Sequence, residues 1–309
     1  MNAITPAPPQ ADNSIGLDIA EAVRSTAILA NLSVSLWSAE RTDRKLFDEM
    51  KEEKGAVGNA GRAVKNLMCG VDEHLRKVQG AYKAARYAHH DLTLPWITNP
   101  RASVQGGPRL LPTALFEKYL TIMSELRNKA GVALDEFIND YDRLVQMAQA
   151  NLGGMAQATD YPTAQEVRGM FRLSFDFEPI PSGASFRGLD ANTTAKLATL
   201  LQAKQQRASE AAQAAMWTQV RERVGHVLDR LSTPDTKFKS ATVEDVRALL
   251  MLLPGWNVTN DARVAEITED IRLMIEGVSA EGLRKDHGLR RGVSVQAQDI
   301  IAKMDGWKL

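Results

Sequence analysis

The sequence predicts a mainly α-helical protein with a small two-stranded β element, long antiparallel helices and a C-terminal helical module. Three observations carry this. Leu115, Tyr119, Ile122, Leu126, Ala130, Leu134, Phe137, Tyr141, Leu144, Ala148 and Leu152 recur at steps of three or four, which lines one face of a long helix. The stretch from Asp190 to Leu231 is rich in Ala, Gln, Lys and Arg, all strong helix formers. Only Leu32–Trp37 and Phe171–Glu178 alternate with the period of a half-buried strand.

In chain order, residues 1–15 read as a mobile tail, with Pro6, Pro8 and Pro9 blocking helix. Residues 16–188 read as an α-rich core with the β ribbon. Within it, Leu32–Trp37 is the first strand and Glu40–Lys54 a charged helix broken by Gly55, Gly58 and Gly61. A helical region from Arg62 to about His90 follows, interrupted near Gly70. Leu94-Pro95-Trp96 opens a loop that runs through Asn99-Pro100 and Gly106-Gly107-Pro108, and Pro112 suits the first turn of the next helix. That helix runs from Thr113 to Leu152 and stops at Gly153-Gly154. In Phe171–Glu178 the aromatics and Leu173 face one side and the charges the other. A two-stranded ribbon is only marginally stable alone, so this pair must lean on helices or on another subunit.

Residues 189–239 read as a long helical arm and hinge, with an alanine-lined middle and a break at Pro234 and Lys237–Ser240. Residues 240–309 read as the C-terminal module. Thr242 and Asp245 have capping-box spacing ahead of Val246, Leu249, Leu250, Leu252 and Leu253. Pro254-Gly255 is expected to end that helix. Asn260–Gly277 and Ser294–Met304 supply two more.

Composition sets bounds. The chain has 309 residues, 44% of them hydrophobic, enough for a sizeable core. Its formal net charge is zero, so attraction to nucleic acid must come from a local patch. Cys69 is the single cysteine, which excludes an internal disulfide framework and suits a reducing compartment. No apolar run approaches the roughly 20 residues that span a bilayer, and the N-terminus lacks the pattern of a signal peptide. A cytoplasmic location with no membrane partner is expected, in the host cytoplasm if the gene is viral.

Catalytic and metal motifs do not emerge. Gly55, Gly58 and Gly61 follow a helical text, so a dinucleotide fingerprint does not fit. His74, His89, His90, His226 and His287 form no zinc-type spacing. His89 and His90, being adjacent, diverge on a helix and suit a solvated or helix-end role. Asp135, Glu136, Asp140 and Asp142 read as a wet face opposite the apolar stripe. Cys69 lies among apolar neighbours. No cofactor and no enzymatic activity are expected.

The chemically suggestive feature is basic. Arg62, Lys65, Arg76, Lys77, Lys83 and Arg86 face only Asp72 and Glu73 over this stretch. Tyr82, Tyr87 and Trp96 are interleaved or follow, and Arg101 and Arg109 extend the run. Cations for phosphates and aromatic rings for bases are what single-stranded nucleic acid needs. An amphipathic helix with a cationic wet face and aromatics in its core explains the same residues. A second cluster, Arg284, Lys285, Arg290 and Arg291, sits in a loop-like segment, fit either for phosphate contact or for a mobile connection. It follows the acidic stretch Ser240–Gly282, which suits protein docking or head-to-tail contact between subunits.

Three stretches together resemble a family of uncharacterised proteins from phages and mobile elements. They are Leu32-Ser33-Val34-Ser35-Leu36-Trp37 followed by Arg41–Lys45; Thr93–Trp96 with Arg109–Pro112; and Asp160-Tyr161-Pro162 leading to Phe171–Pro179. The likeness covers roughly residues 25–190. The family has no assigned activity or catalytic residues, and its members tend to be encoded near DNA-metabolism genes and AAA-type ATPases. The resemblance therefore implies DNA handling or an ATPase accessory. The expectation is a non-enzymatic single-stranded DNA-binding accessory protein acting as a homo-oligomer. The alternative is a self-assembling structural or adaptor protein that partners an AAA-type ATPase or another phage protein.

Overall fold

The computed structural model describes residues 21–58, 60–98, 107–181, 190–232 and 239–307. The Pro-rich tail, the loop from 99 to 106 with Arg101, and the hinge at Pro234, Lys237 and Phe238 lie outside the described residues. The fold is mainly α with a small antiparallel sheet. The chain divides into two compact units. The first draws on the stretches 21–31, 91–117 and 176–307, and the second on 32–90 and 118–175.

Residues 21–26 are helical (α1) and lead into β1, Ala27–Ser35. Strands β4 (Leu94–Pro95), β5 (Arg109–Pro112) and β6 (Arg172–Glu178) join β1 in one sheet of order β4-β5-β1-β6. β1 and β5 run antiparallel, with Ile28 opposite Leu111 and Leu29 opposite Leu110. β1 starts five residues before the predicted strand. Its first residues, Ala27, Leu29 and Ala30, are buried on both faces, so no alternation marks them. β5 and β4 are buried at every position and escape the same test. Pro95 is tolerated because β4 is an edge strand. Pro112 ends β5 in extended backbone, and the helix begins with a 3₁₀ turn at Thr113–Leu115, so the expected first-turn role is corrected. β6 alternates as predicted, with Leu173, Phe175 and Phe177 half-buried and Arg172, Ser174, Asp176 and Glu178 exposed.

The second unit holds β2 (Glu40–Thr42), α2 (Arg44–Lys54), β3 (Val64–Asn66), most of α3 (Asp72–Leu92) and of α4 (Phe116–Leu152), and α5 (Ala164–Met170). The predicted helix over Arg62–Gly70 is corrected here: the chain forms β3 and then a turn. Gly70 carries the turn at φ +76°, and a Cβ there would run into the Asn151 side chain. The α4 stripe of Tyr119, Ala130, Leu134, Phe137, Tyr141, Leu144 and Ala148 is buried as its spacing requires. Trp37, Phe137 and Tyr141 stack edge-to-face and tilted at 5.9–6.5 Å between centroids. Asp135, Glu136 and Asp140 on the outer face pair with Arg168, Lys77 and Arg143.

α5 opens with a capping box: Glu166 N–H donates to Thr163 Oγ1, and Thr163 N–H donates to Glu166 Oε2 at 2.7 Å. These bonds hold the Glu166 carboxyl below the usual glutamate range, first through the Thr163 N–H. The box therefore stabilises at neutral pH and is lost as pH falls through the lowered folded pKa. Thr163→Ala is expected to cost about 1 kcal/mol in urea denaturation at pH 7, with the difference shrinking in acid.

In the first unit, α6 (Ala191–Ser232) is antiparallel to α10 (His287–Gly306), and α7 (Ser240–Trp256), α8 (Ala262–Ile275) and α9 (Ala280–Lys285) complete the bundle. The alanine-lined middle of α6 packs instead of standing free: Ala208 and Ala212 are buried, followed by Met216, Val220, Val224 and Val227. Two terminus readings for α7 are corrected. Thr242 lies inside the first turn, and Lys239 caps without a side-chain bond. Pro254 lies within the helix, which continues to a buried Trp256.

Candidate nucleic-acid interface

α3 positions most of the basic residues read from the sequence. Asp72 and Glu73 sit in its first turn and His89 and His90 in its last, as the helix dipole favours. Leu75, Val78, Tyr82, Ala85 and His89 form its buried face. Arg76, Gly80, Lys83 and Tyr87 run along the opposite, exposed face, with Lys77 and Arg86 beside them.

This geometry separates the predicted residues. Tyr82 and Tyr87 point about 140° apart at 100° per residue. Tyr82 is buried against Phe171 at 5.4 Å, and burial pushes its hydroxyl pKa up. It offers no stacking surface. Tyr87 is 69% exposed. Trp96 is buried in the other unit and is likewise withdrawn from the interface. Arg76 pairs with Asp72 and Lys77 with Glu136, both at 2.6 Å on the surface. Arg62, Lys83 and Arg86 are exposed and make no ion pair among the described residues.

Lys65 is corrected most sharply. It stands on β3 directly opposite Arg41 on β2, a pairing of like charges that would repel. Asp160 relieves this from a 3₁₀ turn: its Oδ1 lies 2.9 Å from Arg41 Nε and its Oδ2 2.5 Å from Lys65 Nζ. Asp43 Oδ2 lies 2.9 Å from the same ammonium, while Asp43 Oδ1 accepts the Leu46 N–H that starts α2. Met155 O accepts a further bond from Lys65 at 3.2 Å. Lys65 is 5% exposed and committed to this cluster, so it contacts no phosphate. The sequence shows these charges but carries no indication that they converge.

Arg109, which extended the positive run, is also buried. Its Nε donates to Thr93 Oγ1 at 2.7 Å and its Nη2 to Thr93 O at 2.8 Å. Burial lowers its pKa to about 10, with Asp91 opposing. His89 is buried with Nδ1 at 2.8 Å from Tyr119 Oη, so the solvated reading is corrected. Among the described residues no three His, Cys, Asp or Glu side chains gather as a metal site, and no helix is long and apolar enough to cross a membrane.

The second cluster is helical, not loop-like. Arg284 and Lys285 end α9, and Arg290 and Arg291 lie in the first turns of α10. Arg290 donates to the carbonyls of Leu231 and Arg230, closing the C-terminus of α6, and so leaves the set of phosphate contacts. Lys285 pairs with Glu281 on the surface, and Arg284 and Arg291 are exposed. No family model matches the chain, no curated protein matches it, and no solved structure matches it.

Proposed function

We propose that this protein is a non-enzymatic, phage-type accessory protein that binds single-stranded DNA through the outer face of α3. One observation carries the reading: the exposed Tyr87 ring stands beside Lys83 and Arg86, two exposed cations without a carboxylate partner among the described residues. A ring that can stack on a base, flanked by charges that can track phosphates, is the minimal unit of sequence-tolerant single-strand binding. Arg76 and Lys77 extend the face, because exposed ion pairs are weak and exchange readily for phosphate. Arg62 completes the set in this unit. Arg284, Lys285 and Arg291 form a separate basic surface in the other. The phage-family resemblance, with its DNA-metabolism setting, favours DNA as the ligand.

The test is fluorescence anisotropy with a labelled single strand of about 30 nucleotides, with a duplex control and a salt series. Lys83→Glu with Arg86→Glu is expected to weaken binding at least tenfold and to flatten the log–log salt slope by about 1.4, two phosphate contacts at about 0.7 each. Tyr87→Ala is expected to cost about 1–3 kcal/mol with little change in slope. Unchanged affinity in both variants removes the site. No binding at low salt removes the reading.

A further inference from the structure

The second unit holds a cleft of about 400 Å³ that no α3 residue lines. β2 supplies Glu40 and Arg41, the 3₁₀ turn Ala158–Asp160 supplies Asp160, and α5 supplies Glu166. Trp37 and Leu67 form a buried apolar part of the wall. The volume suits a small molecule and not a polymer.

β2 enters the cleft from a fixed corner. Ala39 is fully buried and holds φ +56°, a left-handed backbone that a non-glycine residue keeps only when its surroundings impose it. Its carbonyl accepts the Leu67 N–H at 2.8 Å, and the Glu40 N–H donates to Ser38 Oγ at 3.3 Å. Strain of this kind gathers where side chains must be aimed, and the next two side chains are Glu40 and Arg41.

Arg41 is only partly engaged. Its Nε lies 2.9 Å from Asp160 Oδ1, in the cluster that also holds Lys65 and Asp43. Two cations and two carboxylates cancel there. The pairing orients the guanidinium, yet neither Nη group makes a hydrogen bond or ion pair among the described residues, and the side chain is 52% exposed. Glu166 is also aimed. Its Oε2 accepts from Thr163 N–H at 2.7 Å and Oγ1–H at 2.8 Å, which leaves Oε1 without a partner among the described residues. Glu40 is exposed, and its carboxylate has no partner there either.

Once the cluster has cancelled, the cleft offers a fork of donors and two carboxylates. An anion such as phosphate would be repelled by Glu40 and Glu166, and a simple cation by Arg41. A molecule with both charges a few bonds apart satisfies each of these groups. Tyr161 lines the same cleft, and its hydroxyl makes no hydrogen bond among the described residues.

We infer that this cleft binds a free α-amino acid, its carboxylate on the Arg41 Nη groups and its ammonium on Glu40 and Glu166. The test is isothermal titration calorimetry on the full chain, with each of the standard free amino acids raised to about 10 mM. At least one is expected to bind with a dissociation constant below about 1 mM. Its N-acetyl and carboxamide derivatives, each lacking one charge, are expected to bind more than about tenfold more weakly. Glu40→Gln is expected to weaken binding more than about tenfold with an unchanged urea midpoint, because its carboxylate supports no contact among the described residues. Arg41→Lys keeps a charge beside Asp160 but loses the fork, and is expected to weaken binding by a similar factor. No binding by any amino acid at about 10 mM, derivatives that bind as well as the parent, or unchanged affinity in Glu40→Gln would each overturn the inference.

Discussion

Lys65→Ala is expected to lower the urea stability of the unit formed by residues 32–90 and 118–175 by about 3 kcal/mol at neutral pH. The ammonium sits between Asp43 and Asp160 and is 5% exposed. Removing it strands two carboxylates in a poorly solvated place, and Arg41 reaches only one of them. Lys65→Met keeps the stem but not the charge and is expected to lose nearly as much. Asp160→Asn is expected to be milder, since an amide oxygen still accepts. Burial by itself would lower the Lys65 pKa, but hydrogen bonds to Asp160 and Asp43 more than reverse this and hold it above the ordinary lysine range. That contribution is present below the unfolded lysine pKa and is lost as pH rises through the higher folded one. Asp43 is held below the ordinary aspartate range, first by the Leu46 N–H and then by Lys65. Its contribution is lost as pH falls through the folded value. Wild type should therefore show a broad pH plateau of stability; Lys65→Ala should remove the alkaline decline and, with Asp43 no longer held down by the ammonium, narrow the plateau from the acid side. An unshifted urea midpoint would mean that water already solvates the cluster.

Trp256→Ala is expected to cost about 3–5 kcal/mol. Trp256 is 1% exposed at the last turn of α7, and its Nε1–H points to Leu92 O at 3.5 Å. Deletion would leave a large void and an unpaired carbonyl. The preceding Gly255 adds a steric demand, because a Cβ there would come within 2.8 Å of Leu115 Cγ. Gly255→Ala should therefore also destabilise, although alanine normally favours helix. A Gly255→Ala protein at least as stable as wild type would show that Leu115 can yield.

The α4 stripe was legible because thirty-seven helical residues repeat one period, and length averages out local exceptions. β6 was legible because one of its faces is wet. β1, β4 and β5 were less so, since strands buried on both faces lose the alternation that identifies them. The continuation of α7 past Pro254 contradicts local propensity, and a buried Trp256 accounts for it: the packing of one large ring outweighs a missing hydrogen bond. For the candidate interface, residue type was readable but direction was not. Tyr82 and Tyr87 look alike in the chain, and only the register of α3 sends one inward and the other out.

By itself, the sequence determined the helical class, the long helices α4 and α6, the outward strand β6 and the concentration of cations between Arg62 and Arg86. Those properties follow from periodicity and composition, which act over neighbours along the chain. Only the tertiary structure decided which cations are available. Lys65, Arg109 and Arg290 are consumed by an ion cluster, a threonine and a helix end that lie 16 to 95 positions away in sequence. Lys83 and Arg86 are exposed and make no ion pair among the described residues. The reason is physical: a charge is spent or free according to what converges on it in space, and convergence is a property of the fold.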